Sequence, residues 1–311
     1  MEKAERVLRR LKFRDLQMLL AVIEQGNLAK AADSLCITRP VVSKAIADLE
    51  RTMAVRLLDR SPQKVEPTLF GRALLKRSIA AFDELRQSVE EIEFLSAPHE
   101  GELRIGCSEY MAAGLIPAAI DRLSRDYPKL LFQAELDNPF TRLRERKVEF
   151  VIARLLTSDV EPDMESEILF YEKVFIAAGP GNKWLARRKI RLAELVGEPW
   201  MLAPLEIAPD SPIAEAFQAQ GLAVPQARVL GYSLPLRNGL LATGRFLTMV
   251  PGSVLRFGAE SLLLKTLPVA LSSWRFPVAI VTLKNRTLGP VAERFLACIR
   301  EIARPLAKPM S

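Results

Sequence analysis

The sequence is poor in the residues on which many enzymes depend. Its 311 residues contain a single histidine, His99, and three cysteines, Cys36, Cys107 and Cys298. Chemistry built on Ser-His-Asp or Cys-His pairs, or on histidine-rich zinc sites, would have to pass through His99. That residue stands between Ala97-Pro98 and Glu100-Gly101, the setting of a linker. Three cysteines, odd in number and far apart, give no disulfide framework and point to a reducing compartment. The motifs G-x-x-x-x-G-K-[ST], G-x-G-x-x-G, C-x-x-C and G-x-S-x-G are absent. No run approaches the ~18 apolar residues of a spanning helix, and the charged start Met1–Arg6 has no apolar stretch behind it. Together these absences point to a cytoplasmic protein off the membrane, with no metal, no cofactor and no assigned catalytic residue. Catalysis by paired carboxylates stays open, because Asp and Glu are common and spacing alone cannot pair them.

What is present is an ordinary globular composition, 49% hydrophobic and 26% charged, long enough for about two or three domains. The net charge of +7 is unevenly placed. Residues 1–77 carry 16 Lys and Arg against 9 Asp and Glu, whereas residues 78–100 carry 1 against 6. A basic head followed by an acidic, helix-like stretch suggests a polyanion-binding module joined to something else.

Within the head, Leu16, Leu19, Leu20 and Ile23 recur at helical spacing and the pattern stops near Gln25-Gly26. A second helix follows with Asn27 as its cap and Ala31 and Ala32 small enough for close crossing. After Cys36-Ile37, Thr38 is placed as the cap of a third helix with Pro40 in its first turn. Val42, Ile46 and Leu49 form its inner stripe, and Arg39, Val41, Ser43, Lys44 and Asp48 its outer face. Two helices joined by a short turn, the second basic and hydroxyl-bearing outside, make a helix-turn-helix whose recognition helix enters the major groove. Arg39, Ser43 and Lys44 suit base edges and phosphates, and Pro40 or Val41 suits a thymine methyl. Asn27 and Thr38 complete the expected DNA-facing set; a plain three-helix bundle is the alternative.

Val55–Arg60 and Lys64–Pro67 flank Ser61-Pro62-Gln63 as a β-hairpin wing. Arg56, Arg60 and Lys64 are spaced to follow a phosphate backbone, or are simply solvated. Thr68 is the expected cap of a helix reaching about Leu95. Its residues Leu75, Ser78, Phe82, Leu85, Val89 and Ile92 alternate at spacings of three and four, a seam for pairing two chains. Leu75, Phe82, Leu85, Val89 and Ile92 are the expected dimer contacts, and a two-fold pair would present two recognition helices to two half-sites.

The run Gly26–Glu50, with its spacing Ala31-Ala32, Leu35, Thr38-x-Pro40, Ser43, Ile46 and Leu49-Glu50, resembles the winged helix-turn-helix of LysR-type transcriptional regulators. Val55–Arg60 and Thr68-x-x-Gly71 are similar to that family's wing and linker helix, and Gly101–Gly106, Leu115-Ile116-Pro117 and Tyr127-Pro128 to the opening of its effector domain. The chain departs from the family at Arg39, commonly glutamine, at Leu58, commonly phenylalanine, and at Pro67, commonly leucine. Arginine favours guanine where glutamine favours adenine, so the half-site preference shifts with it.

The remaining two-thirds alternate strands and helices. Leu103–Cys107, Leu130–Leu136 and Phe150–Ala153 read as strands, with helices at 112–125 and Thr141–Lys147 between them, the order of an open parallel sheet. Further strands are expected near Glu167–Ala178, Trp200–Ala203, Arg228–Tyr232, Phe246–Val250 and Pro277–Leu283, with a last helix at Val291–Ile302. The segment resembles periplasmic-binding-protein-like effector domains of two α/β lobes. Small ligands sit outside the carboxyl ends of strands in such sheets. On that logic Ser108, Glu109 and Arg154 face the cleft from one lobe and Pro204, Leu205, Tyr232 and Ser233 from the other, with helix capping or a structural ion pair as the alternative for each. Arg154 suits a carboxylate held bidentately. Cys107 reads as a small buried hydrophobe, and Trp184, Trp200 and Trp274 as packing.

The expected architecture is α/β with an N-terminal winged helix-turn-helix at 1–67, a linker and dimerisation helix at 68–97, and a two-lobed effector domain at 101–311. Lobe 1 takes about 101–162 and 267–311, and lobe 2 about 163–266. The expected function is sequence-specific regulation of transcription by a dimer or tetramer on double-stranded DNA, with RNA polymerase as a further partner. A small metabolite between the lobes would switch it. The segment Leu240–Ser253 is similar to that of family members responding to sugars or aromatic acids. The alternatives are a constitutive architectural DNA binder with a vestigial ligand domain, and a small-molecule enzyme with a basic anchoring head.

Overall fold

Apolar residues at helical spacing bring the first helices of the chain together. A computed structural model describes residues 2–60, 64–155, 160–209, 211–262, 264–269, 271 and 275–307. The chain falls into two units, Met1–Val89 and Glu90–Ser311.

The first unit opens with α1 (Glu2–Leu8), which lies outside every expected element, followed by α2 (Phe13–Gln25), α3 (Leu28–Ser34) and α4 (Arg39–Met53). Leu16, Leu19 and Val22 of α2, Ala31 and Ala32 of α3, and Val42, Ile46 and Leu49 of α4 form one core. Each fully buried Leu, Ile or Val contributes about 1.5–3 kcal/mol. The inner face of α2 is rotated from the expected stripe: Met18 and Val22 are buried, while Leu20 and Ile23 lie half-exposed. Gly26 ends α2 in the left-handed region at φ 63°, where a side chain would be strained. The short strands β1 (Leu58–Arg60) and β2 (Val65–Pro67) pair antiparallel; the expected turn Ser61-Pro62-Gln63 lies outside the described residues.

Helix α5 (Leu69–Ser96) carries the chain across the unit boundary. The Thr68 hydroxyl accepts the Gly71 N–H at 3.0 Å and donates to the Arg56 carbonyl at 2.8 Å. Gly71 is needed there, since a Cβ would stand 2.1 Å from the Leu57 carbonyl oxygen. Along the expected seam, Leu85, Val89 and Ile92 are 52%, 55% and 64% exposed. Phe82 differs: its ring stands edge-on to Phe13 at 5.2 Å and packs on the core of its own unit. Leu75 is half-buried.

In the second unit β3 (Glu100–Cys107) is followed by α6 (Glu109–Ala112), α7 (Leu115–Asp126), β4 (Lys129–Glu135), α8 (Pro139–Arg144), β5 (Phe150–Arg154) and β6 (Met164–Ala178). Then come β7 (Trp200–Leu202), α9 (Pro212–Gln218), β8 (Ala227–Leu230), α10 (Leu234–Ala242), β9 (Leu247–Pro251), α11 (Gly252–Leu262), β10 (Lys265–Thr266), β11 (Arg275–Leu283) and α12 (Pro290–Ala307). The strands form one hydrogen-bonded path, β4-β3-β5-β11-β6-β9-β7-β8, with β10 on β6. The expected parallel order holds for β4, β3 and β5. The sheet as a whole is mixed, because β11 runs antiparallel to both β5 and β6, and β6 antiparallel to β9.

Two apolar cores result. One gathers Leu103, Ile105, Phe150, Ile280 and Phe295, the other Ile176, Trp200, Phe217, Leu247 and Phe276. The crossing between them lies inside β6, where Phe170 belongs to the first core and Val174 to the second. The return lies inside β11, between Phe276 and Val278. The expected lobe limits at 162/163 and 266/267 are thus displaced, because Leu267 packs in the second core and long strands, not loops, make the crossings. Trp184 and Trp200 are buried, and Trp274 lies outside the described residues.

Candidate functional site

The outer face of α4 is built by its inner face. With Val42, Ala45, Ile46 and Leu49 buried, the helical period turns Arg39, Pro40, Val41 and Lys44 to solvent, with Ser43 and Asp48 half-exposed. Asn27 caps α3, its side-chain oxygen accepting the Ala29 and Lys30 N–H groups at 2.7 and 3.3 Å. Thr38 occupies the cap position of α4 but its side chain makes no capping bond, leaving the exposed hydroxyl at the edge of the basic face.

Sequence reasoning missed Glu50. Its Oε1 accepts the Leu57 and Leu58 N–H groups at 2.8 and 3.3 Å, tying the hairpin to the recognition helix. The only signal was the Leu49-Glu50 pair within the family-like run. Of the three wing cations, Arg56 is exposed, and the side chain of Arg60 lies outside the described residues. Lys64 is exposed and ion-paired with Glu66 at 2.6 Å. That bond raises the lysine pKa and lowers the glutamate one. A phosphate would compete with Glu66 for Lys64, a weak rival at this exposed position.

The second unit brings a different set together. The Ser108 N–H donates to the Ile152 carbonyl on β5 at 3.4 Å. Two residues further on, the Arg154 guanidinium lies 4.5 Å from the centre of the Tyr110 ring and 5.0 Å from that of Phe276. Ser108 and Arg154 therefore share a corner, as expected. Arg154 makes no hydrogen bond or ion pair through its side chain among the described residues, and the buried Ser108 Oγ has no hydrogen-bond partner. A guanidinium held flat between two rings keeps its fork of N–H donors for a carboxylate or phosphate.

Glu109 and Tyr110 reach into the other lobe. Glu109 Oε2 accepts the Leu234 N–H at 2.6 Å. The Tyr110 hydroxyl donates to Glu206 Oε1 at 3.0 Å and accepts from Arg237 Nη1. Arg237, 2% exposed, also donates to the Met249 carbonyl at 2.9 Å and pairs with Glu206 at 3.3 Å. Burial, reinforced by the Glu206 charge, pushes the Tyr110 hydroxyl pKa upward, so the phenol stays protonated and able to donate. Glu172 is buried too, which raises its carboxyl pKa, while the Arg154 charge and the Ser253 N–H pull it back.

Tyr110, Glu206 and Arg237 escaped the sequence reading because each pairing that joins Tyr110 to them spans about a hundred residues and follows no motif. Of the expected second-lobe residues, Ser233 caps α10 through the Leu236 N–H at 3.4 Å. Pro204 and Tyr232 are exposed, and the side chain of Leu205 lies outside the described residues. Neither a hydrogen bond nor an ion pair joins these to Ser108 or Arg154 among the described residues; Glu206 and Arg237 take the place they were given, because the local chain turns its charged groups inward. Cys107 is fully buried, and its thiol is pushed up to about 12 by that burial, far from thiolate chemistry. Among the described residues no group of three or more His, Cys, Asp or Glu is placed to hold a metal ion. No helix of the described residues is long and apolar enough to cross a membrane.

Residues 13–72 match the profile of the bacterial regulatory helix-turn-helix protein of the lysR family, and residues 96–304 that of the LysR substrate binding domain. The SDS degradation transcriptional activation protein of a Pseudomonas species is 31% identical over 293 residues, covering 90% of this chain and 92% of its own. The transcriptional dual regulator GltC of Bacillus subtilis is 26% identical, covering 92% and 95%. Among solved structures, a full-length OxyR variant from Pseudomonas aeruginosa superposes with a TM-score of 0.67 at 18% identity, covering 95% of this chain and 97% of that one. Full-length CbnR complexed with its target DNA gives 0.64 at 20% identity, covering 94% and 99%.

Proposed function

The chain belongs to the LysR family of DNA-binding transcriptional regulators, and from that premise we propose how its own residues divide the work. Residues 1–67 read DNA: Arg39, Ser43 and Lys44 face base edges, Val41 a thymine methyl, and Arg56 and Lys64 the phosphates. The observation that carries this reading is α4 itself, with its apolar side fully buried and its basic side exposed. Residues 68–97 join two copies through Leu85, Val89 and Ile92, whose exposure on one long helix suits a partner helix.

Residues 101–311 sense a small anion, held by Arg154 and Ser108 at the corner where β5 meets α6. Supporting this is a half-buried guanidinium without an ion-pair or hydrogen-bond partner among the described residues beside a buried, unpartnered hydroxyl. Because Glu109 and Tyr110 bond across to α10, ligand at that corner biases the lobe arrangement. Switching requires that the ligand bind two arrangements unequally. The DNA-bound oligomer then acts on RNA polymerase.

The test is selection of bound fragments from a random-sequence duplex pool with the native full-length chain and with Arg39→Ala plus Ser43→Ala. Enrichment of a paired, two-fold-related motif that the double variant loses is the expected result. Equal enrichment by both proteins would remove these side chains from base readout.

A further inference from the structure

The C-terminal unit holds a cavity that none of the predicted effector residues line. It measures about 290 Å³ and lies among β6, the first turn of α11 and the last turns of α12. Phe170, Phe175, Leu255 and Leu306 supply apolar wall, and Arg256 and Arg275, both exposed, add positive charge to the lining. The volume sits at the small end of ligand pockets, room for a molecule of one ring.

Two further lining residues set it apart from a packing defect. Glu172 and Ser253 are 2% and 1% exposed. The Ser253 N–H donates to Glu172 Oε1 at 3.0 Å, which leaves Glu172 Oε2 and Ser253 Oγ, both buried and both without a hydrogen-bond partner. Buried polar atoms are nearly always paired. An ionised carboxylate only accepts, so what this corner lacks is a donor. Structural voids are instead apolar, or polar and satisfied by water.

We propose that this cavity is a second small-molecule site, for an amphipathic ligand with three contacts. Its apolar body packs on Phe170, Phe175 and Leu255. Its hydroxyl or amide N–H donates to Glu172 Oε2, and its acidic group faces Arg256 and Arg275. Nothing in this site depends on the Arg154 corner, whose proposed ligand binds elsewhere in the same unit.

The test is calorimetric titration of the full-length chain with 4-hydroxyphenylacetate, phenylacetate and 4-methoxyphenylacetate. The first carries the required donor, the second lacks it, and the third replaces it with an acceptor. The hydroxylated probe is expected to bind more tightly than either of the others by at least about tenfold, since a site built around a hydrogen bond rejects the analogue that cannot make it. Leu306→Trp, which fills the cavity away from Glu172, should abolish that binding, whereas Arg154→Ala should leave it intact. Glu172→Gln replaces an acceptor by a donor and should reverse the order of the hydroxy and methoxy probes. Equal affinities for the three probes, or no saturable binding at millimolar probe, would overturn the proposal in favour of a water-filled or merely structural cavity. Binding lost in Arg154→Ala and kept in Leu306→Trp would overturn it in favour of the other corner. Should Leu306→Trp fail to fold, an unchanged probe order in Glu172→Gln decides the same way.

Discussion

In the N-terminal unit the bonds that shape the DNA face join near neighbours: Asn27 caps the turn that follows it, Glu50 reaches Leu57 seven residues on, and Thr68 reaches Arg56 twelve back. In the C-terminal unit Glu109 bonds Leu234 across 125 residues, Tyr110 bonds Glu206 across 96, and Glu172 meets Ser253 across 81. The first unit exposes its functional charges and buries none of those on the recognition face; the second buries its charges and must pair them. The same kind of residue therefore does different things in the two. An exposed arginine contributes to binding and little to stability, whereas a buried one is a structural obligation, because removing its partner strands a charge in a poorly solvated place.

The contrast is broken most forcefully at Arg237. Arg237→Ala leaves Glu206 buried without its counter-ion and frees the Tyr110 hydroxyl and the Met249 carbonyl, so urea unfolding should show a loss of about 3–5 kcal/mol. A loss within the ordinary surface range of about 0.5 kcal/mol would erase the distinction between the units. Gly71→Ala comes next. The added Cβ meets the Leu57 backbone carbonyl, and overpacking of this kind costs about 1–3 kcal/mol, readable as a lower Tm of the full chain. Arg39→Ala should leave unfolding unchanged while costing about 1–3 kcal/mol in operator binding and relaxing preference at one base pair; equal losses on operator and random duplexes would reassign it to phosphate contact.

Asn27→Ala removes the cap of α3, worth about 0.5–2 kcal/mol of stability, and thermal unfolding of the full chain reads it. The smallest effect sharpens the comparison from inside the second unit. Arg300 holds Glu167 bidentately at 2.8 and 2.7 Å, but both side chains are nearly half exposed, so Glu167→Gln should cost no more than about 1 kcal/mol at neutral pH. The Arg300 bond holds the Glu167 carboxyl below its usual pKa. The contribution is thus complete above the unfolded-state value and fades as pH falls through the folded one. A stability difference between wild type and variant that persisted in strong acid would contradict the assignment.

Much of the first unit was legible from residue order because its determinants are local. The buried stripe of α4, the cap at Asn27, the hairpin and the start of α5 at Thr68 each follow from side chains within a few turns of where they act. The error there was a rotation of α2, since Leu20 and Ile23 match the helical period as well as Met18 and Val22 do, and only the neighbouring helices choose between them. Phe82 is a similar case: its spacing fits a seam between chains, yet Phe13 takes it into the core. In the second unit the strands were found but not their directions, because the hydrophobic runs of β5, β6 and β11 look alike whichever way they pair.

By itself the sequence determined that this is a basic helix-turn-helix head on a long helix followed by an α/β sensor, and that histidine- and cysteine-based catalysis has no place in it. It also singled out Ser108, Glu109 and Arg154, because residues that follow a strand's carboxyl end are marked by the strand itself. The tertiary structure alone decided that Arg154 lies between Tyr110 and Phe276, that Glu206 and Arg237 are buried together, and that Glu172 and Ser253 keep unpaired oxygens beside a cavity. Periodicity tells which side of an element is apolar; it carries no record of which distant charge will be folded against which.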